Sequence, residues 1–481
     1  MANLILWNSL NDPVSLSRPV GPHQISQWLT KHGFSVKVID FCSSMSTNDL
    51  VDITRKFIDN KTIAIGVSST FWNSFNVETM TTNSRFPQGS KYSAPLDPSW
   101  VTDGRQKIES LYPELKWLLG GAASQAISMN EWIPFHGHSE NEILKFLDEK
   151  SGKTVPRDSF EIQSMDWSYG DGLGIQPHEV LGIELGRGCQ FKCGFCRYPL
   201  LGKKKNSYLR NFDLVKHELI QNYEKFGVTR YSYLDDTVNE SSEKIEIMAD
   251  IAQSLPFKLE WVGYGRLDLI GSNRSSIQLL KDSGLRSMFF GIETFHPIAS
   301  KAIGKTWNGK HGKEFLLELR DIWGKEINYH TNFIIGLPGE SKSDIDSTIQ
   351  WCIDNDISSW NMGSLNISTR QDLLFKSEFD ENYVTYGYKF PNPMDETYWE
   401  NEHWTAATAA QKTKQVITDR NAMGKNRPAD FFLASLAGLG YSIDELINTS
   451  VSTLPWGDFF NKRQSHIDQY IHYQKNIANA Y

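Results

Sequence analysis

Short apolar runs alternate with helix-period segments through most of the 481 residues, and this alternation leaves few folds open. Strands joined through intervening helices pair in parallel, in a sheet covered on both faces. Residues 3–7, 35–41, 62–69 and 115–119 read as strands, with helices at 21–32, 47–60 and 140–149. They predict an α/β, Rossmann-like, doubly wound domain over residues 1–150. Residues 151–178 are rich in Gly, Pro, Asp and Ser and read as a linker. A second series follows, with strands at 181–185, 230–234, 259–263, 287–292, 329–335 and 360–365. Helical patterns at 212–226, 242–255, 275–282, 313–324 and 342–353 separate them. Six such steps over residues 179–370 predict a partial (β/α)6 barrel of the TIM type, with its chemistry at the carboxyl ends of the strands. Residues 371–481 turn aromatic-rich and then helical, at 405–423 and 429–437. This small helical region reads as an appendage or lid, and its aromatics as a substrate lid or as ordinary domain packing.

Composition narrows the class. Twenty-six Phe, eighteen Tyr and fifteen Trp argue for a packed globular chain, and a net charge of −8 with mixed signs leaves no duplex nucleic-acid footprint. There is no apolar run of about 18 residues and no signal-peptide pattern at the start, so the expectation is a reducing cytoplasm and no membrane. Only five cysteines occur, and their distribution excludes a disulfide framework: Cys42 and Cys352 stand alone, while Cys189, Cys193 and Cys196 lie within eight residues. The segment Gly186-Arg-Gly-Cys189-Gln-Phe-Lys-Cys193-Gly-Phe-Cys196 follows the first strand of the second series. Three thiolates on one glycine-flanked loop can wrap one metal centre. A structural zinc would need a fourth ligand, for which His178 and His217 are the nearest candidates. An iron–sulfur cubane normally takes four thiolates, so three leave one iron open, as a catalytic centre requires.

A CxxxCxxC loop after the first strand of a partial barrel resembles the signature of the radical S-adenosylmethionine (SAM) superfamily. The resemblance implies that Cys189, Cys193 and Cys196 hold a 4Fe-4S cluster whose open iron chelates SAM. Reductive cleavage of SAM then yields a deoxyadenosyl radical that abstracts hydrogen from substrate. It implies further roles: Phe195 near the adenine, Glu293 in Phe290-Gly-Ile-Glu293 on the ribose hydroxyls, and Gly336 in Phe333-Ile-Ile-Gly336-Leu-Pro-Gly339-Glu340 along the adenine. For each a plainer role stays open: a core aromatic, a helix cap or salt bridge, and a turn. Many members carry Gly-Gly-Glu at the end of the second strand; here the chain reads Tyr233-Leu-Asp235-Asp236-Thr. Asp235 or Asp236 is then an acceptor for the SAM ammonium, a substrate ligand, or a cap for the helix starting near Ser241. Arg266 is a candidate for a carboxylate or the SAM methionine moiety, or an ion-pair partner of Asp268.

A doubly wound domain ahead of such a barrel resembles the subgroup with an N-terminal cobalamin-binding domain. Gly120-Gly121 and Gly137-His-Ser-Glu140 match the order of segments there, although no DxHxxG sequence supplies a histidine to cobalt. Two readings follow for the first domain: cobalamin binding, or a degenerate nucleotide-like or structural role. With cobalamin, the implied reaction is methylation of an unactivated carbon on a small-molecule or modified-polymer substrate. Without it, a radical rearrangement or oxidation remains, and from a different class a non-catalytic zinc or iron–sulfur protein. Methylthiotransferases need three further N-terminal cysteines, so a second cluster is not expected. The basic run Arg197, Lys203, Lys204, Lys205 and Arg210 fits an anionic substrate, a nucleotide or an electron donor such as flavodoxin or ferredoxin, or else a solvated loop.

Overall fold

In β1 (Leu4–Trp7) the side chains alternate between two cores. Leu4 and Leu6 pack with Trp28, Leu29, Ile143 and Leu144 on one face, and Ile5 and Trp7 with Leu50, Val101 and Trp117 on the other. The same alternation recurs in β2 (Val36–Ile39), β3 (Ala64–Ser68) and β4 (Lys116–Gly120), so helices have to cover both faces. Helices Val20–Lys31 and Glu140–Ser151 cover one face, and Thr47–Arg55 and Ser99–Glu109 the other. With the two-residue β5 (Ile133–Pro134), the sheet runs in the order β2-β1-β3-β4-β5, all parallel. This is a flavodoxin-like order, with its topological switch between β1 and β3. The computed structural model describes residues 2–9, 16–69, 99–121, 131–152, 167, 173–198, 200–305, 309–371, 373, 375–392 and 394–477. Most of the predicted linker lies outside the described residues, but Trp167, Leu173 and Ile175 are buried in the barrel core.

The second sheet is β6 (Val180–Ile183), β7 (Arg230–Tyr233), β8 (Glu260–Gly265), β9 (Leu285–Glu293), β10 (Asn328–Ile335) and β11 (Trp360–Ser364). It is parallel and sequential, β11-β10-β9-β8-β7-β6, with a strand near each of the six read from the sequence. Its helices are stopped by local chemistry. Asn211 caps Phe212–Phe226 and Gly227, at φ +73°, ends it; a Ser341/Asp344 capping box starts Lys342–Asp354.

The chain after β11 is not an appendage. Tyr388, Trp399 and Trp404 are buried in the barrel core, and helix Ala406–Ala422 lies along β11. Helix Asp430–Ala437 closes the amino end of the barrel, where Asn328 Nδ2 donates to Pro428 O at 2.7 Å and Asp430 N to Ser287 Oγ at 2.7 Å. Helix Trp456–Ile477, which the sequence reading leaves out, returns to the first sheet and shares its core through Phe459, Ile467 and Tyr470.

A buried charge network joins all three parts. Arg18 Nη1 pairs with Asp40 at 2.7 Å and its Nε with Glu179 at 2.6 Å, His23 meets Asp40 at 2.9 Å, and His466 meets Glu179 at 3.2 Å. No described helix is long and apolar enough to cross a membrane.

Candidate functional site

The cysteine loop leaves the carboxyl end of β6 and is pinned by backbone bonds. Gly202 N donates to Cys189 O at 2.8 Å, Cys196 N to Cys193 O at 2.9 Å, and Phe379 N to Gly194 O at 2.8 Å. Each sulfur has a hydrogen-bonding group beside it. Thr237 Oγ1 lies 3.3 Å from Cys189 Sγ, Arg266 Nη1 lies 3.7 Å from Cys193 Sγ, and the Tyr198 backbone N–H serves Cys196. Burial raises the Cys193 thiol and pushes Cys196 up to about 11, while Lys305 and Arg266 pull Cys193 the other way. Iron therefore has to displace these protons, as metal binding to thiols does. Among the described residues no three His, Cys, Asp or Glu converge on one ion. A cubane takes each thiolate on a different iron, whereas a single zinc would need a fourth ligand on the same ion. The zinc alternatives also fall away in space: His217 is exposed on its helix and His178 packs against His466.

Glu293 ends β9 in a left-handed conformation, φ +70°, just past a bulge opposite Asn332 and Phe333. A bulge of this kind bends the strand and re-aims the side chain beside it. Gly291 makes room for the Glu293 carboxylate to fold back along the strand, toward Lys305 Nζ at 3.4 Å. Lys305 sits on a loop without a motif, and no sequence signal points to it.

The remaining predicted residues divide. Asp235 is fully buried and spent on the fold, accepting from Leu185 N at 2.7 Å and from Lys244 Nζ at 2.5 Å. It is not open to a ligand. Its neighbour Asp236 is half-buried, with burial, Asp235 and Glu184 raising it to about 6 against Lys203 and the Gly188 N–H, and it lies in the electrostatic range of Cys196. Neither caps the next helix, because Ser241 does. Arg266 does pair with Asp268, at 3.0 and 2.6 Å, and still reaches Cys193. Phe195 is partly buried against the barrel core. Gly336, φ +103°, faces the Trp399 indole, which fills the space a Cβ would take; Tyr388 Oη and Asn401 Nδ2 donate to its carbonyl at 2.8 and 3.1 Å. The close approach that Gly336 permits is thus to Trp399.

Most of the basic run is neutralised. Arg197 pairs with Asp380, Lys203 with Glu240, Lys205 with Glu243 and Arg210 with Glu218, leaving only Lys204 without an ion pair among the described residues. An electropositive substrate funnel is therefore not what this segment builds.

The first sheet meets the site through Arg187, one residue from the cysteine loop's first turn. Its guanidinium binds Glu140 at 2.8 Å, Glu184 at 2.8 Å and Gln24 Oε1 at 2.8 Å. Glu140 begins the last helix of the first domain, so that helix start touches the segment that leads from β6 into the cysteine loop. Gly120 and Gly121 end β4 on that edge, Gly121 at φ +98°, and a Cβ at Gly120 would meet nothing nearer than 3.9 Å.

Comparison with known proteins agrees with this geometry. The family model of the radical SAM superfamily matches residues 183–352. An uncharacterized methyltransferase of Pyrococcus horikoshii is 26% identical over 248 residues, covering 51% of this chain and 48% of the relative. A ribosomal protein uS12 methylthiotransferase of a Synechococcus species is 22% identical over 214 residues, 43% of this chain and 42% of the relative. The chain thus spans about half the length of the curated relatives it matches. Among solved structures, the radical SAM methyltransferase TsrM from Kitasatospora setae, with cobalamin and a 4Fe-4S cluster bound, covers 98% of this chain and 99% of its own at a TM-score of 0.60 and 13% identity. The cobalamin-dependent SAM radical enzyme OxsB covers 80% of this chain and 55% of its own at a TM-score of 0.52 and 14% identity. At such identities the likeness is one of fold. With the thiol loop and the order of the strands, residues 183–352 match the radical SAM superfamily, whose cofactors are SAM and a 4Fe-4S cluster.

Proposed function

We propose that this chain is a radical SAM methyltransferase that binds cobalamin in its first domain and methylates an unactivated carbon. The observation that carries the reading is the placement of three thiols on one loop that leaves the carboxyl end of β6, with Arg266 and the Tyr198 N–H donating to two of them and Arg187 tying the start of that loop to the first domain. Cys189, Cys193 and Cys196 would hold a 4Fe-4S cluster, which supplies the electron that cleaves SAM, and cobalamin on the first sheet would supply the methyl carrier. Glu293 would accept from the ribose hydroxyls in place of Lys305, and Asp236, since Asp235 is bound to Lys244, would accept from the ammonium. What supports a cobalamin ligand on the first sheet is its switch point between β1 and β3 and the open backbone at Gly120. The electron comes from a low-potential donor such as a flavodoxin or ferredoxin, and the reducing cytoplasm is the compartment in which five unpaired cysteines and such a donor coexist.

Anaerobic reconstitution with iron, sulfide and hydroxocobalamin, followed by reduction with SAM present, tests this. Deoxyadenosine is the expected product of radical initiation and S-adenosylhomocysteine of methyl transfer. Cys193→Ala should lose most of the bound iron and abolish SAM cleavage. Iron content unchanged in that variant, together with no SAM cleavage by the iron-loaded parent, would sink the reading. Cobalamin that elutes completely on gel filtration would remove its methylation half.

A further inference from the structure

Arg266 is fixed from every side but one. Its backbone N–H donates to Asn239 Oδ1 at 2.8 Å, and its carbonyl accepts from Asn239 Nδ2 at 2.9 Å. Its Nε and Nη2 donate to the two Asp268 oxygens at 3.0 and 2.6 Å. The guanidinium lies over the Phe191 ring, Cζ at 3.8 Å from the centroid, and the residue is only 8% exposed. Phe191 belongs to the cysteine loop itself, so the arginine and the loop are held as one unit. The nitrogen left over, Nη1, points at Cys193 Sγ, 3.7 Å away. A planar guanidinium with its other edge occupied cannot swing toward a new partner without breaking a bidentate pair. The other cation near Cys193, Lys305, is engaged by Glu293 and the Gly291 carbonyl.

Hydrogen bonds to the sulfurs and the charge around a cluster set its reduction potential. Adding an electron makes the cluster more negative, so a cationic donor on a ligand sulfur favours the reduced form. We propose that Arg266 raises the reduction potential of the cluster through Nη1–H donated to Cys193 Sγ, with Asp268 as a fixed counter-charge that limits the rise. The proposal rests on the reading that the three thiolates hold a 4Fe-4S cluster. The step it governs is a one-electron reduction by an external low-potential donor, in which no bond to the protein is made or broken. A role confined to SAM would show only with SAM present.

The test is a titration of the reconstituted full chain with titanium(III) citrate in the absence of SAM, following the reduced cluster by electron paramagnetic resonance, with iron measured in every sample. In Arg266→Gln the ratio of reduced to oxidised cluster at a given potential should fall about tenfold, a shift of ~59 mV to more negative potential for a one-electron couple. In Asp268→Asn, which frees the guanidinium of its counter-charge, the ratio should rise severalfold. A fully loaded Arg266→Gln with the parent midpoint overturns the proposal. Where Arg266→Gln takes up no iron, Asp268→Asn decides, and a midpoint that stays put or moves negative overturns it. A parent chain that takes up no four-iron cluster defeats the reading of the site, and the proposal with it, whereas a loaded parent with insensitive variants defeats the proposal alone.

Discussion

Glu340 ends the strand-to-turn segment after β10 with its two carboxylate oxygens in different circumstances. Oε1 accepts from Thr294 Oγ1 at 2.6 Å, and Oε2 is buried without a hydrogen-bond partner. Burial pushes the group up to about 8, with Asp344 adding to the rise and Thr294 opposing it. The folded chain therefore keeps a proton that the unfolded chain releases above about 4.5, and stability falls as pH climbs from there to about 8. Glu340→Gln should remove that slope, gaining on the order of 3 kcal/mol over the parent between pH 5 and 8.5. Urea unfolding across that range would show it; a constant difference at all pH values would contradict it. Single positions were legible where the chemistry is local. The cysteine spacing and the strand-end Glu293 stand out because their neighbours in sequence define them. Asp235 and Asp236 could not be separated, because what removes Asp235 from the site is Lys244, on the next helix, and no pattern along the chain records that pair.

The segment from Tyr383 to Trp404 shows how an aromatic-rich stretch becomes part of a core. Its Trp399 indole takes the room left by Gly336, and Trp404 Nε1 donates to the Glu340 carbonyl at 2.8 Å. Gly336→Ala would place a Cβ in that ring at a backbone angle L-residues avoid, a loss of roughly 2–4 kcal/mol. In a Trp399→Ala background the same change should cost clearly less, because the steric part is gone. Denaturant midpoints of the four chains test this, and additive losses would refute the contact. The six barrel strands were readable from apolar runs bounded by turns. By contrast β5 has only two residues, and helix Trp456–Ile477 spreads its buried apolar side chains thinly among polar ones, so neither carries a period strong enough to read.

The buried network around Glu179 ties the first sheet, the start of the barrel and the last helix into one body. Burial alone would raise Glu179, but Arg18 and His466 hold it down to about 2. Its contribution is thus fully present above about pH 4.5 and is lost as pH falls toward 2. Glu179→Ala, which strands Arg18 without one of its two carboxylates, should cost about 3–5 kcal/mol. Chemical denaturation at neutral pH measures it, and a loss under 1 kcal/mol would show the network to be dispensable. No linear reading could have found it, since Arg18 and Glu179 lie 161 positions apart.

That the first sheet and the last helix share one hydrophobic core also bears on how the molecule is made. When the first 150 or so residues leave the ribosome, the face that Phe459, Ile467 and Tyr470 will cover is still bare. Its cover is encoded roughly 300 residues later, which at about 5–20 residues per second means ~15–60 s of waiting. During that interval the nascent first sheet is a client for chaperones, and a ribosome that stalls within the barrel releases a fragment with an open apolar flank.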